Sequence, residues 1–134
     1  MSGLLFRADV FAEVITWVAQ HPTVQAFYEN GPVPDLERVS DVWIDSEIRW
    51  YGAKTVAMGE RPRGRSTGAL MVRVYCREGS GTRLPDVLCD ELEELFRPRR
   101  IGGAVFDFPE RLTPTEQMGW AKVGILAPFY LDRV

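Results

Sequence analysis

Histidine, lysine and cysteine are all scarce in this chain: one histidine, two lysines and two cysteines stand among 134 residues. Each scarcity excludes some chemistry. His21 sits at a helix end before Pro22 and reads as a C-terminal cap rather than a general base. One imidazole and two thiols on apolar faces cannot assemble an ordinary zinc site. Cys76 and Cys89 read as reduced, buried small hydrophobes, with a disulfide as the alternative. The stretch Arg77–Thr82 lies between a strand and a helix, where a phosphate-binding loop would lie. It lacks the Gly-x-x-x-x-Gly-Lys-Ser/Thr pattern and any nearby lysine, so it reads as a tight turn. No apolar run approaches the ~20 residues that cross a bilayer. Leu4–Phe6 is too short for a secretory signal. Repeats, low-complexity tracts and linkers are absent too. The expectation is one domain over residues 1–134, long enough to bury a core, made in a cytoplasm and without a membrane partner.

What is present begins with charge. The net charge of −3 argues against a general nucleic-acid binder. The positive charge is nearly all arginine, with Lys54 and Lys122 the exceptions. Arginine's flat, weakly hydrated fork suits protein interfaces, although genome base composition produces the same bias. The stretch Gly68–Phe96 organises the chain. Leu70, Val72, Val74 and Cys76 alternate with Met71, Arg73 and Tyr75, the period of a strand. Glycines break that strand, and the period changes to helical. Leu84, Val87, Leu88, Leu92, Leu95 and Phe96 share one side, while Asp86, Asp90, Glu93 and Glu94 lie mostly on the other. Pro85 fits the first turn and Pro98 ends the helix.

Around this unit, residues from about Asp9 to Gln20 read as a helix with Asp9 as N-cap and Val10, Val14, Trp17 and Val18 on its apolar face. Val24, Ala26 and Tyr28 alternate with Gln25, Phe27 and Glu29, which allows a short strand or an extended segment. A long strand runs from about Val42 to Ala57. Val42, Ile44, Ile48 and Trp50 point one way, and Trp43, Asp45, Glu47, Arg49 and Tyr51 the other. Met58–Thr67, with Arg61, Arg63 and Arg65, reads as the projecting tip of a hairpin that returns through Gly68–Cys76. Ala104–Phe108 is a short strand and Pro109–Gly119 a loop. The last strand carries Ala121, Val123, Ile125, Ala127 and Phe129 on its apolar face. Pro128 predicts an edge or an exit from the sheet. The expected fold class is α+β, a mainly antiparallel sheet with two main helices on one face and a projecting β-hairpin.

No catalytic, cofactor-binding or metal-binding residues emerge. The four helix carboxylates read as a solvated face. Asp45 and Glu47 share a strand face but meet Arg49 at the next position, which favours ion pairing between strands or subunits over acid–base work. The basic tip Arg61, Arg63 and Arg65 is the best candidate for contact with an acidic partner surface or passing nucleic acid. A solvated hairpin end is the alternative. It has no interleaved aromatic for base stacking.

The order Tyr28-Glu-Asn-Gly-Pro, Trp43–Tyr51, Met58-Gly59, Gly68–Cys76, Glu78–Gly81 with its helix, Gly119-Trp120 and Ala127–Asp132 resembles the tail-terminator and minor tail proteins of long-tailed bacteriophages. It is similar to the lambda-type tail-terminator fold over roughly Phe27 to Asp132. The resemblance implies a virion protein assembled in the host cytoplasm, a non-enzymatic homohexameric ring without cofactors. Such a ring caps the tail tube, stops its polymerisation and presents a joining surface to the head connector. Genomic DNA passes its lumen without specific binding. Within such a ring, the pattern of strand faces rather than any matched motif would place Asp45, Glu47 and Arg49 at a subunit boundary or lumen wall, and Arg61–Arg65 toward a partner ring. Another neck or tail-completion protein and a non-viral protein-binding module are the alternatives.

Overall fold

A computed structural model of the chain describes residues 3–29, 31–57, 59, 63–77 and 83–133. The architecture is α+β. Strands of one curled sheet run in the order β1-β2-β3-β8-β5-β4, with β6 and β7 also laid against β8. The elements in chain order are α1 (Gly3–Ala19), β1 (Val24–Tyr28), β2 (Val42–Ala57), β3 (Arg63–Arg77), α2 (Arg83–Leu95), β4 (Arg100–Ile101), β5 (Ala104–Phe106), β6 (Glu110–Arg111), β7 (Thr115–Gln117) and β8 (Trp120–Arg133). β1 runs parallel to β2, and every other pairing is antiparallel.

Both helices pack on one face of the sheet. From α1 come Phe6, Val10, Val14 and Trp17, from α2 Leu88, Cys89 and Leu92, and from the turn just after it Phe96. The sheet answers with Ile44, Ile48, Leu70, Val72, Val74, Cys76, Ile125, Ala127, Phe129 and Leu131. These sheet residues follow the period of two expected of half-buried strands. Phe6 meets the rings of Phe129 and Phe106 at centroid distances of 4.8 and 6.5 Å. His21 closes α1 as a cap. Its Nδ1–H donates to the Trp17 carbonyl oxygen at 2.8 Å, and its ring lies 4.3 Å from the Trp17 ring. Its Nε2 lies 3.2 Å from both carboxylate oxygens of Glu91 in α2.

Several local expectations are corrected. α1 starts at Gly3, so Asp9 lies inside the helix rather than at its cap. Phe6 extends the apolar stripe a turn upstream and carries the helix with it. In α2 the buried set is Pro85, Leu88, Cys89 and Leu92. Leu84 and Val87 instead stand 43% and 45% exposed. The helix is therefore rotated slightly from the face its leucines suggest. β3 begins at Arg63 rather than Gly68, so its pairing with β2 runs further than expected, while residues 58 and 60–62 of the expected tip lie outside the described residues. The span Pro109–Gly119 holds β6 and β7, both paired with β8. Met118 and Gly119 have φ of 51° and 83°, the left-handed pair that closes a two-residue hairpin.

Pro128 lies in the interior of the sheet, opposite Ala69 of β3. Its carbonyl oxygen accepts from the Asp107 N–H at 2.9 Å, so its imide nitrogen also faces the side of β5 and β6. There the chain passes between those two short strands, and no ladder donor is required. The sheet also coils tightly. A Cβ on Gly124 would stand 2.3 Å from the Val72 carbonyl oxygen, and one on Gly68 2.4 Å from that of Arg49. Only glycine permits that backbone approach.

Candidate partner-binding surface

The sheet face away from the helices carries the polar and aromatic side chains that the sequence singled out. It divides into three zones along β2, β3 and β8. At one end Trp43 stacks on Tyr75 with centroids 3.9 Å apart and planes 9° apart. Trp120 and Phe27 meet Trp43 edge-on at 5.9 and 5.6 Å. Leu36 and Val39, from the loop before β2, cover this small second core. Beside it opens a cleft of about 240 Å³ lined by Val33, Pro34, Leu36, Trp43, Tyr75, Met118 and Trp120. Its rim residues Val33 and Met118 are 87% and 78% exposed.

The middle zone brings together Asp45, Glu47 and Arg49, as their spacing on one strand face requires. Their centre is a residue the sequence reading did not single out. Arg73 stands opposite Asp45 on β3. Its guanidinium donates to Asp45 Oδ1 at 2.8 Å and also to Glu47. Arg49 donates to Glu47 from the other side at 2.9 Å. The Tyr75 hydroxyl donates to Asp45 Oδ2 at 3.3 Å. Burial and then the Asp45 charge push the Tyr75 phenol up to about 12. Two acids and two arginines balance, so this zone carries no net charge. The signal for Arg73 was its place on the outward side of an alternating strand. Its partners depend on the β2–β3 register, which a single strand's pattern does not contain.

The third zone is the hairpin end. Arg65 lies within β3, not in the turn. It forms a two-pronged pair with Asp132 of β8, Nε to Oδ1 at 2.7 Å and Nη2 to Oδ2 at 3.0 Å. Its guanidinium also lies 3.9 Å over the Tyr130 ring. Such a planar, stacked fork holds Arg65 against the sheet. Arg63 opens β3, and Arg61 lies outside the described residues. Of the three, Arg65 is thus a sheet residue paired within its own chain.

Two further sequence candidates find partners. Asp86, Asp90 and Glu93 of α2 gather around Arg111 of β6 at 3.7, 2.7 and 2.7 Å. The hydrogen bond to Glu93 is the leading cause that raises the Arg111 pKa. Glu94 pairs with Arg97. The acidic row thus clamps β6 onto α2. Cys76 and Cys89 are free and buried. Burial raises each thiol to about 11, which leaves little thiolate at neutral pH. Residues 78–82 of the glycine turn lie outside the described residues. Among the described residues, no group of three or more His, Cys, Asp or Glu side chains is placed to hold a metal ion. No described helix is long and apolar enough to cross a membrane.

The backbone adds a feature that side-chain patterns do not reveal. β1 covers β2 only from Val42 to Ser46. Glu29 then extends the ladder. Its N–H donates to the Ser46 carbonyl oxygen at 3.1 Å, and its carboxylate accepts from the Ile48 N–H at 3.1 Å. From Tyr51 to Ala57, β2 pairs with β3 on one side and meets no described strand on the other. At the opposite side of the sheet, β5 reaches β8 only as far as Tyr130. Leu131–Arg133 therefore also forms an open edge among the described residues.

No family model matches the chain, and no curated protein matches it. Six solved chains do match. One of them, a protein whose name states no function, superposes with a TM-score of 0.73 at 20% identity, over 100% of this chain and 97% of its own. That likeness concerns the fold alone.

Proposed function

We propose that this chain is a structural virion protein, a tail terminator of a long-tailed bacteriophage. In this reading six copies form a ring that caps the tail tube, stops its growth and offers the head connector a joining surface. Genomic DNA passes through the lumen without specific binding, and the protein resides in the tail or neck of the particle. The observation that carries the reading is the pair of open sheet edges at the hairpin end. Two different edges on opposite sides of one sheet suit head-to-tail association, the kind that closes into rings. The family resemblance supplies the identity of the ring. On the outer face of the sheet Asp45, Glu47, Arg49 and Arg73 are engaged with one another, and Arg65 with Asp132.

Imaging the particle that contains this chain, together with sedimentation of the free protein with and without tail tubes, tests the proposal. The expected result is a ring at the tube end. A chain that stays single on tubes, or that turns over a substrate, overturns it. A ring elsewhere in the neck would assign the chain to another tail-completion role. Arg61→Ala with Arg63→Ala should leave folding intact and impair head–tail joining. Arg65 is best left in place, because its pair with Asp132 belongs to the fold.

A second reading has one observation in its favour. The cleft between Trp43, Tyr75, Trp120 and Pro34 is lined by aromatic and apolar side chains, as binding modules for apolar segments are. A module of that kind works as a monomer, so the sedimentation measurement separates the two.

A further inference from the structure

The hairpin end carries a row of charge that runs across the sheet. In the strand register Lys54 of β2 stands opposite Arg65 of β3, and Arg65 stands opposite Asp132 of β8. One open edge thus presents a cation and the other an anion, on the same cross-strand line. Like charges directly opposite on neighbouring strands are unfavourable. Arg65 is relieved by Asp132. Lys54 is exposed and has no ion pair within the chain among the described residues.

We infer that the β8 edge of one copy, at Leu131–Arg133, adds to the β2 edge of the next, at Tyr51–Ala57, with Asp132 of one copy set beside Lys54 of its neighbour. This rests on the ring reading above and names the surfaces that close it. The occupant is a second copy because the missing anion for Lys54 sits at the far end of the same row. A carboxylate has acceptor sites enough to serve Arg65 within its own chain and Lys54 across the boundary. Lysine on an edge strand also discourages pairing with a like edge. Lys54 therefore opposes a symmetrical β2-to-β2 dimer, which would not propagate, and admits the β2-to-β8 contact, which does. The backbone hydrogen bonds of the added strand supply affinity and the charged row sets the register.

Cysteines at the two ends of the row provide the test. Lys54 and Asp132 are separated by two strand spacings, about 10 Å, too far for a disulfide within one chain. The full-length Lys54→Cys/Asp132→Cys protein is oxidised, alone and on tail tubes, and free thiols are blocked before denaturation. The expected result is a covalent ladder that ends at the ring size, with neither single variant forming it. Because Asp132→Cys removes a pair within the fold, a charge exchange supports the reading independently. Lys54→Glu and Asp132→Lys should each weaken assembly at least ten-fold, and the double variant should restore it. Wild-type rings without a ladder and without rescue overturn this interface and leave the ring reading standing. A wild-type chain that never assembles, even on tubes, overturns both. A ladder from Lys54→Cys alone, stopping at the dimer, overturns the head-to-tail arrangement.

Discussion

The two faces of the sheet are held by different physics. The helix-covered face buries Phe6, Val10, Val14, Leu70, Val72, Leu92, Phe96 and Ile125 completely. The opposite face has a small aromatic cluster at one end, a balanced set of ion pairs in the middle and a single two-pronged pair at the hairpin. Apolar burial on the first face supplies most of the folding free energy, at roughly 25 cal/mol per Å² removed from water. Partly exposed ion pairs on the second contribute far less. The outer face can therefore change for partner contact while the inner face keeps the fold.

The largest effect should come from the inner face. Phe6→Ala removes a fully buried ring packed on three aromatic neighbours. It should cost about 3–5 kcal/mol in denaturant unfolding. A cost near that of an outer-face change would break the comparison. Next is Gly124→Ala, whose methyl group has no room beside the Val72 carbonyl. Overpacking should cost about 1–3 kcal/mol, read as a lower thermal midpoint. Arg73→Met leaves Asp45 and Glu47 without their shared partner. Both carboxylates remain 28% exposed. The expected loss is accordingly only about 1–2 kcal/mol.

The smallest effect sharpens the comparison instead. Tyr75→Phe should cost under about 1 kcal/mol near neutral pH, because the lost hydrogen bond is long. It should also change the alkaline limb of stability. The phenol is raised in the folded state, so its contribution is fully present below pH 10. That contribution is lost as the unfolded chain ionises from pH 10 and the folded one near pH 12. The variant should therefore lose stability less steeply between those values in equilibrium unfolding.

Much of this organisation was legible in the residues. Val42–Ala57 is a strand over the whole expected span, and the alternation in β3 and β8 assigns their inner faces correctly. Periodicity reports which side is apolar, and burial obeys it. It does not report neighbours. The Arg73 hub, the Glu29 ladder extension and the Lys54–Arg65–Asp132 row all depend on which strand lies beside which, and in what register. The exposed Leu84 and Val87 show the same limit in a helix, where packing set the rotation that hydrophobicity left open. β6 and β7 were hidden by prolines and by their length of two or three residues.

Pro128 has a consequence for how the chain finds its arrangement. β8 is the common neighbour of β3, β5, β6 and β7, so an error in its alignment would spread through half the sheet. A slip by one position would turn the imide toward β3 and delete a bond from the longest ladder β8 makes. The ring thus acts as a keyed stop, and the strand that joins most of the sheet has one setting in which it locks.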